Sequence, residues 1–196
     1  MRTQKERKDD AERALLDAAE ELITERGLEK TSLAQIGERA GYSRGLVNHH
    51  FGSKNALLAR LSERMQREFA AAHEGGRTRS GLETLLTTVD RYFRMKHTRG
   101  SRGGTFFQIW ANAISSENNE SFSNTEAIAR DQIKQMITTG IADGSITSTV
   151  DPDSLALIVI AILRGIALQA LIDPKGIRLM KERHRVTEFL RDALDN

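Results

Sequence analysis

Cysteine is absent from this chain of 196 residues, and proline occurs only twice. Without cysteine the chain can form neither disulfide bonds nor thiolate metal sites, which suits a reducing cytoplasm. Because so few prolines interrupt it and apolar residues recur at helical spacing throughout, the pattern predicts an all-α protein. The first ten residues, MRTQKERKDD, are charged and lack the apolar stretch of a secretory signal, so we expect none.

Acidic residues are missing from one long stretch of the chain. Between Arg39 and Ser62 there is no Asp or Glu, although the whole chain holds 27 of them. Arg39 itself, Arg44, Lys54 and Arg60 are the cations of this stretch. The net charge of +2 says little by itself. Its distribution says more, since a local excess of cations favours contact with phosphate groups.

The stretch Ser32–Lys54 has the pattern of two short helices joined by a tight turn. Ser32 is placed to cap the first helix, and Gly41 can end it because glycine adopts the left-handed conformation at little cost. Ser43 is placed to cap a second helix that runs to Phe51. Two short helices with Gly in the turn predict a helix-turn-helix, which presents its second helix to the DNA major groove.

The run from Thr31 to Leu58 also resembles the DNA-binding signature of the TetR family of bacterial transcriptional regulators. The matching positions are Thr31, Ile36, Ala40, Gly41, Ser43, Gly45, His50, Phe51, Ser53, Lys54 and Leu57. Two positions depart from the family pattern. Family members usually carry Tyr where this chain has Asn48, and often Arg where it has Ala34. Those positions tend to touch DNA in the family, so we expect some operator contacts to differ here.

The resemblance implies an N-terminal three-helix helix-turn-helix DNA-binding domain and a larger C-terminal helical domain for ligand binding and dimerisation. We predict that residues 1–54 form the first domain and residues 55–196 the second. Residues 1–8 hold four cations and one acid, and a helix is predicted from about Asp9 to Arg26. Two interpretations of residues 1–8 are open: a solvated terminus, or a basic arm that reaches DNA.

We predict DNA contacts along the second helix and at the starts of its neighbours. Arg44 stands where such helices meet base edges and can pair with guanine, while Gly45 leaves room for close approach. By resemblance, His50 contacts the phosphate backbone and Lys54 adds a charge at the start of the next helix. The full predicted set is Ser32, Ser43, Arg44, Gly45, Asn48, His49, His50 and Lys54. We expect no metal at His49 and His50, because adjacent helical side chains diverge by about 100°.

Aromatic residues are densest between Thr105 and Ser116. One interpretation is that these rings fill a helical core. The other is an apolar ligand pocket with a few polar groups, of the kind that C-terminal domains of the TetR family commonly hold. The pocket residues would be Tyr92, Phe93, Phe106, Phe107, Gln108, Trp110, Asn112 and Arg164. For Arg164, a buried pocket group and a solvent-facing helix edge are both open.

From Leu155 to Ile172 the chain is almost wholly apolar and long enough to span a membrane. An arginine near mid-bilayer, as Arg164 would be, costs about 2.5–3.5 kcal/mol, so we expect no membrane contact. A helix that is apolar nearly all round is instead buried on two sides. The resemblance implies that the two C-terminal helices of each subunit form a homodimer. The run Ala156–Pro174 further resembles C-terminal domains of TetR-family members near the choline-regulating repressors.

Together these features predict a cytoplasmic repressor that binds a palindromic operator as a homodimer and is released by a small-molecule effector. A regulator of the same fold without a small-molecule ligand is the alternative. An all-α enzyme is a third possibility, but the sequence offers no nucleophile with a placed base, no metal-ligand spacing and no nucleotide loop. We therefore expect no catalytic residues, no cofactor and no metal.

Overall fold

The computed structural model describes residues 3–71, 80–99, 102–115 and 120–195. Within these ranges the regular secondary structure is helical and contains no strand, which confirms the all-α prediction. The helices in chain order are α1 (Gln4–Arg26), α2 (Leu33–Ala40), α3 (Arg44–Phe51), α4 (Lys54–Ala71), α5 (Gly81–Arg99), α6 (Arg102–Ile114), α7 (Glu120–Ala142), α8 (Pro152–Ile172) and α9 (Leu179–Leu194).

Helix α1 begins earlier than the predicted start near Asp9. The Thr3 hydroxyl accepts a hydrogen bond from the Glu6 N–H at 3.2 Å, and the Glu6 carboxylate accepts one from the Thr3 N–H at 2.8 Å. This reciprocal capping box satisfies two backbone donors and stabilises the first turn. The exposed basic residues Lys5, Arg7 and Lys8 therefore lie on a helix. Met1 and Arg2, the first residues of the predicted basic arm, lie outside the described residues.

By its internal contacts the chain divides into two compact units. Unit 1 comprises Met1–Met65 and Gly104–Phe122, and unit 2 comprises Gln66–Gly103 and Ser123–Asn196. This division differs from the predicted boundary after residue 54. It differs because α4 as far as Met65 and α6 from Gly104 onward belong to the same unit as the helix-turn-helix.

In unit 1, helix α2 packs against both α1 and α3. Each helix contributes its apolar face to the core, as amphipathic helices do. The largest of the fully buried side chains are Leu15 and Ile23 of α1, Ile36 of α2, Val47 of α3, Leu57 and Leu61 of α4, and Ile109 of α6. This packing fixes which face of α3 remains outside.

In unit 2, helix α5 packs against α8 and α9. Its start lies against the end of α7: the Gly81 N–H donates to the Asp143 carboxylate at 2.7 Å, and the Leu82 N–H donates to the Ser145 hydroxyl at 3.1 Å. A Cβ on Gly81 would lie 2.1 Å from the backbone nitrogen of Gly140, so this crossing requires glycine. Backbone approach this close holds the two helix ends together.

A buried ion pair joins α8 to α7 in unit 2. Arg164 pairs with Glu126, and the side-chain amide of Gln66 donates to the same carboxylate at 3.0 Å. The Arg164 side chain is 18% exposed, so it lies inside the unit rather than at a solvent-facing edge. Burial raises the pKa of the nearby Tyr92 hydroxyl, and the positive charge of Arg164 opposes that rise.

Helix α8 is long and apolar enough to cross a membrane by length and composition alone, with a mean hydropathy of 2.5. Its buried residues are Ala156, Val159, Ile160, Leu163, Ala167 and Ala170, which recur at helical spacing on one face. The buried Arg164–Glu126 pair extends that inward face. The helix thus packs one face into its own unit, as predicted for a helix of a folded core.

Candidate nucleic-acid interface

Three serines begin the helices of the reading head, which is the segment from α2 to the start of α4. The hydroxyls of Ser32, Ser43 and Ser53 each accept a hydrogen bond from the backbone N–H three residues later, at 3.1–3.3 Å. Each bond satisfies a donor that the first turn of a helix leaves unpaired. The structure therefore confirms the predicted caps at Ser32 and Ser43, while DNA contact by these residues stays a prediction.

The turn between α2 and α3 depends on two glycines. Gly41 has a φ of 78°, in the left-handed region, and ends α2 as predicted. Gly37 lies where the helices come closest: a Cβ there would be 2.9 Å from both the Tyr42 carbonyl oxygen and the Val47 side chain. The angle between α2 and α3 therefore depends on a residue without a side chain at position 37.

Helix α3 has one buried and one exposed face. Val47 is fully buried, whereas the exposed residues at helical spacing are Arg44, Gly45, Asn48 and His49. Among the described residues, the side chains of Arg44, Asn48 and His49 make no hydrogen bond or ion pair. His50 is half-buried, and its ring centroid lies 6.0 Å from that of Phe51. The predicted contact residues of α3 thus divide into an outer set of four and a more inward His50.

Two arginines of the acid-free stretch pair with acids from elsewhere in the fold. Arg39 contacts Glu25 at 2.9 Å and also Glu21, both on α1. The hydrogen bond between them raises the pKa of Arg39 and lowers the pKa of Glu25. Arg60 likewise contacts Glu12 of α1 at 2.6 Å. Although this stretch of the sequence contains no acidic residue, acidic side chains of α1 therefore lie next to it in the structure.

Lys54 lies at the first position of α4, as predicted, but its ammonium group points to the backbone. The Lys54 Nζ donates to the Leu28 carbonyl oxygen at 2.7 Å, and the side chain is half-buried. An ammonium group has three N–H donors, so this bond leaves two for a phosphate. The phosphate contact of Lys54 stays a prediction. The bond to the Leu28 carbonyl oxygen is a second, structural role of the same side chain.

Two family models match the chain. The family described as "Bacterial regulatory proteins, tetR family" matches residues 15–61. The family described as "BetI-type transcriptional repressor, C-terminal" matches residues 81–195, more than half of the chain. The chain belongs to the TetR family. This membership confirms the predicted resemblance, while the likeness of the region around α8 to choline-regulating members stays a prediction.

Curated TetR-family relatives match part of the chain. The HTH-type transcriptional regulator BetI of Escherichia coli O17:K52:H18 (strain UMN026 / ExPEC) is 48% identical over 110 residues, covering 52% of this chain and 54% of the relative. BetI of Escherichia coli (strain K12 / DH10B) is 48% identical over 46 residues, 24% of each chain. The chain thus spans about half the length of the first relative. The names of these relatives describe transcriptional regulators, in agreement with the predicted class of protein.

Solved TetR-family structures match the fold over nearly the whole chain. A TetR transcription regulator from Haloarcula marismortui has a TM-score of 0.82 at 17% identity, covering 96% of this chain and 100% of that one. SmeT of Stenotrophomonas maltophilia, in a complex with triclosan, has a TM-score of 0.77 at 24% identity and covers 95% and 92%. FadR from Bacillus subtilis, in complex with stearoyl-CoA, has a TM-score of 0.78 at 16% identity and covers 92% and 98%. At these identities the likeness confirms the predicted two-part helical fold.

The predicted ligand residues fall in both units. Phe106, Phe107, Gln108, Trp110 and Asn112 belong to unit 1, whereas Tyr92, Phe93 and Arg164 belong to unit 2. Phe106 and Phe107 are buried, with rings edge-to-face at 5.5 Å, and Phe93 is fully buried. Trp110 and Asn112 are half-buried. A ligand pocket that combines these residues stays a prediction.

Two polar contacts were not foreseen from the sequence. The amide oxygen of Gln108 accepts a hydrogen bond from the Leu28 N–H at 2.8 Å, across 80 residues of sequence. Glu126, the partner of Arg164, lies 38 residues away from it. No local spacing signals such a pair, because both members are ordinary polar residues until the helices pack.

Proposed function

We propose that this chain is a DNA-binding transcriptional repressor that acts as a homodimer on a palindromic operator and is released by a small-molecule effector. The observation that carries the proposal is the exposed face of α3 in a TetR-family helix-turn-helix. Its Arg44 has no acidic partner within the described residues, whereas Arg39 and Arg60 are paired. We further propose a cytoplasmic location, where such a regulator meets its operator.

Base recognition begins at the N-terminal end of α3. The Arg44 guanidinium can donate two hydrogen bonds to O6 and N7 of guanine, and Gly45 beside it allows close backbone approach. Asn48 lies one helical turn further along the same exposed face, so its amide faces the same groove. His50, Lys54 and the capping serines would contact the phosphate backbone and hold α3 in register.

A second copy of the chain is the partner that α8 fits. Its outer face exposes large aliphatic side chains, and α9 adds a phenylalanine: Leu157, Ile158, Leu168, Leu171, Ile172 and Phe189, the last 61% exposed. Monomers rarely expose so many apolar groups together. At Gly165, amid this face, a Cβ would meet no atom within 4 Å, which leaves room for a partner helix. A two-fold dimer would also carry two reading heads to a palindrome.

Release by an effector rests on the BetI-type match of the C-terminal region and on the ligands named for SmeT and FadR, which share the fold. For this chain, the residues predicted from the sequence remain the candidates, and among those on α6 Phe106 and Phe107 are buried. The effector must bind more tightly to a dimer whose heads do not fit the operator, because only a difference in affinity shifts the equilibrium.

Footprinting of the purified protein on DNA flanking its own gene, at physiological salt, tests the proposal. We expect a protected near-palindrome whose half-sites lie about one helical turn apart, or a multiple of it. A sedimentation measurement on the same preparation should give the mass of a dimer. Absence of DNA binding at every salt concentration tried, with the protein folded, would overturn the proposed function.

A further inference from the structure

The backbone of Leu28, in the turn between α1 and α2, is bonded at both its N–H and its carbonyl oxygen. Its N–H donates to the Gln108 side-chain oxygen at 2.8 Å, and its carbonyl oxygen accepts from the Lys54 ammonium at 2.7 Å. Leu28 is 5% exposed, so its polar atoms need partners within the protein. All three residues belong to unit 1. We refer to Gln108, Leu28 and Lys54 as the Leu28 clamp.

A second polar contact secures α6 beside the clamp. The hydroxyls of Thr24 on α1 and Thr105 on α6 lie 2.9 Å apart, and Thr105 is fully buried. Gly27 has a φ of 84°, and a Cβ there would lie 3.7 Å from the Gln108 side-chain oxygen. The amide of Gln108 therefore lies directly over the turn that ends α1. Helix α6 meets this turn through two bonded side chains one helical turn apart.

The same turn sets where α2 begins. The Thr31 N–H donates to the Leu28 carbonyl oxygen at 3.2 Å, and its hydroxyl donates to the Gly27 carbonyl oxygen at 2.9 Å. Thr31 is 3% exposed and immediately precedes Ser32, the cap of α2. Helix α2 in turn contacts α3 at Gly37, where the separation leaves no room for a Cβ. The Leu28 backbone is therefore linked through Thr31 to the start of α2, and α2 is linked through Gly37 to α3.

We propose that Gln108 is a positioning residue for DNA binding. From α6 it holds the backbone of Leu28 and thereby the placement of the reading head. The proposal rests on the proposed function in one respect, that α3 reads DNA. It adds that the head is not autonomous: its geometry depends on a side chain far outside the helix-turn-helix in sequence. Gln108 itself touches no DNA.

The test compares variants in which the acceptor at position 108 is removed or kept. Gln108→Met has similar length and no acceptor for the Leu28 N–H, whereas Gln108→Glu keeps an oxygen at the same reach. Gln135→Met makes the same change at an exposed position of α7 and serves as the matched control. For each protein we would measure the operator Kd by fluorescence anisotropy at several salt concentrations, and the exchange rate of the Leu28 amide by NMR.

We expect Gln108→Met to bind the operator about tenfold more weakly, as for loss of one buried hydrogen bond that holds the head. The slope of log Kd against log salt should stay as in wild type, because no phosphate contact is lost. The Leu28 amide should exchange faster. Gln108→Glu should restore both affinity and protection, and Gln135→Met should match wild type in every measurement.

An unchanged Kd in Gln108→Met, together with a faster Leu28 exchange, would overturn the proposal and leave the proposed function standing. A flatter salt slope would also overturn it, because the weaker binding would then come from a cationic side chain that no longer reaches phosphate and not from the placement of α3. Failure of the wild type to bind any DNA would instead remove the proposed function. If Gln108→Met does not fold, Thr105→Val tests the same junction with an isosteric side chain, and we expect a weaker operator affinity, by about threefold, again at constant salt slope.

Discussion

Helices α3 and α8 each leave one face uncovered by their own unit, and the two faces differ in chemistry. The outer face of α3 carries Arg44, Asn48 and His49, whose side chains form no bond among the described residues. The outer face of α8 carries aliphatic side chains, with Leu157 56% exposed and Ile172 71% exposed. The inner face of α3 buries Val47, whereas that of α8 buries aliphatic side chains and carries Arg164 paired with Glu126.

This contrast shows that the chemical groups exposed on an uncovered face indicate which kind of partner can bind there. Free donors and a cation on α3 need acceptors, which base edges and phosphates supply. Aliphatic groups on α8 gain free energy only by leaving water, which a second copy of the same face permits. DNA binding should therefore weaken steeply as salt rises, while dimerisation should change little.

The largest expected effect comes from charging the α8 face. The double variant Leu157→Lys with Leu168→Lys puts two ammonium groups on one side of the helix, since the two positions are close to a whole number of turns apart. Each lost leucine contact removes about 1.5–3 kcal/mol of burial, and the two-fold axis doubles the loss. We expect the dimer dissociation constant to rise more than about 100-fold, measured by analytical ultracentrifugation, with operator binding lost alongside.

Ile128→Lys is the control for that variant. Ile128 is 59% exposed on α7, so it carries a comparable apolar group on a helix outside the proposed dimer face. It should sediment as wild type does. A double variant of α8 that remains dimeric would contradict the assignment of this face, whatever its effect on DNA binding.

Removal of the cation at the start of α3 should have the next largest effect. We expect Arg44→Ala to lose about 1–3 kcal/mol of operator affinity, because a guanine loses its bidentate partner, while binding to random DNA changes less. Competition binding with operator and scrambled duplexes measures the difference. Arg130→Ala, an exposed arginine of α7, should leave both affinities unchanged. Equal loss on both duplexes in Arg44→Ala would show that Arg44 contacts phosphate only.

Lys54 should give a smaller effect of a different kind. Lys54→Met removes the bond to the Leu28 carbonyl oxygen together with the proposed phosphate contact. We expect operator and random DNA to bind several-fold more weakly, with the salt slope lower by about 0.9. A salt titration of each complex supplies the slope. If the slope stays at the wild-type value, Lys54 serves the Leu28 clamp alone and makes no phosphate contact.

The smallest expected effect is on stability at low pH, and it comes from the different N-caps of α3 and α8. Ser43 caps α3 with a hydroxyl, which does not titrate, whereas Asp151 caps α8 with a carboxylate that accepts from the Ser154 N–H at 2.8 Å. Hydrogen bonding to Ser154 lowers the pKa of Asp151. The stability that this carboxylate adds is therefore full above the pKa of an unfolded aspartate and is lost as pH falls through the lowered value.

Asp151→Ser keeps a cap but removes that titration. On acidification from neutral pH to below pH of about 4, wild type should lose a few degrees more in Tm than the variant does. Thermal unfolding followed by circular dichroism at each pH gives the comparison. Parallel losses in the two proteins would mean that other carboxylates carry the acid sensitivity.

The reading head was predictable because its signals are local. Each cap joins residues three apart, and Gly41 ends α2 through its own backbone conformation. The start of α1 depends on a local signal too, since its Thr3–Glu6 capping box joins residues three apart, upstream of the predicted start near Asp9. The packing of α6 with the head left no such local mark, because Gln108 meets Leu28 only once the helices assemble.

The amino-acid sequence by itself determined the helices, their caps, the helix-turn-helix and the family, since each depends on residue type within a few positions. Only the tertiary structure decided which polar side chains pair within the protein and which stay available to bind DNA. It paired Arg39 and Arg60 with acids of α1, packed Arg164 against Glu126, and brought Lys54 and Gln108 to the backbone of one residue, Leu28. These choices depend on distances between helices, and the free energy of a charge depends on what packing brings within a few ångströms of it.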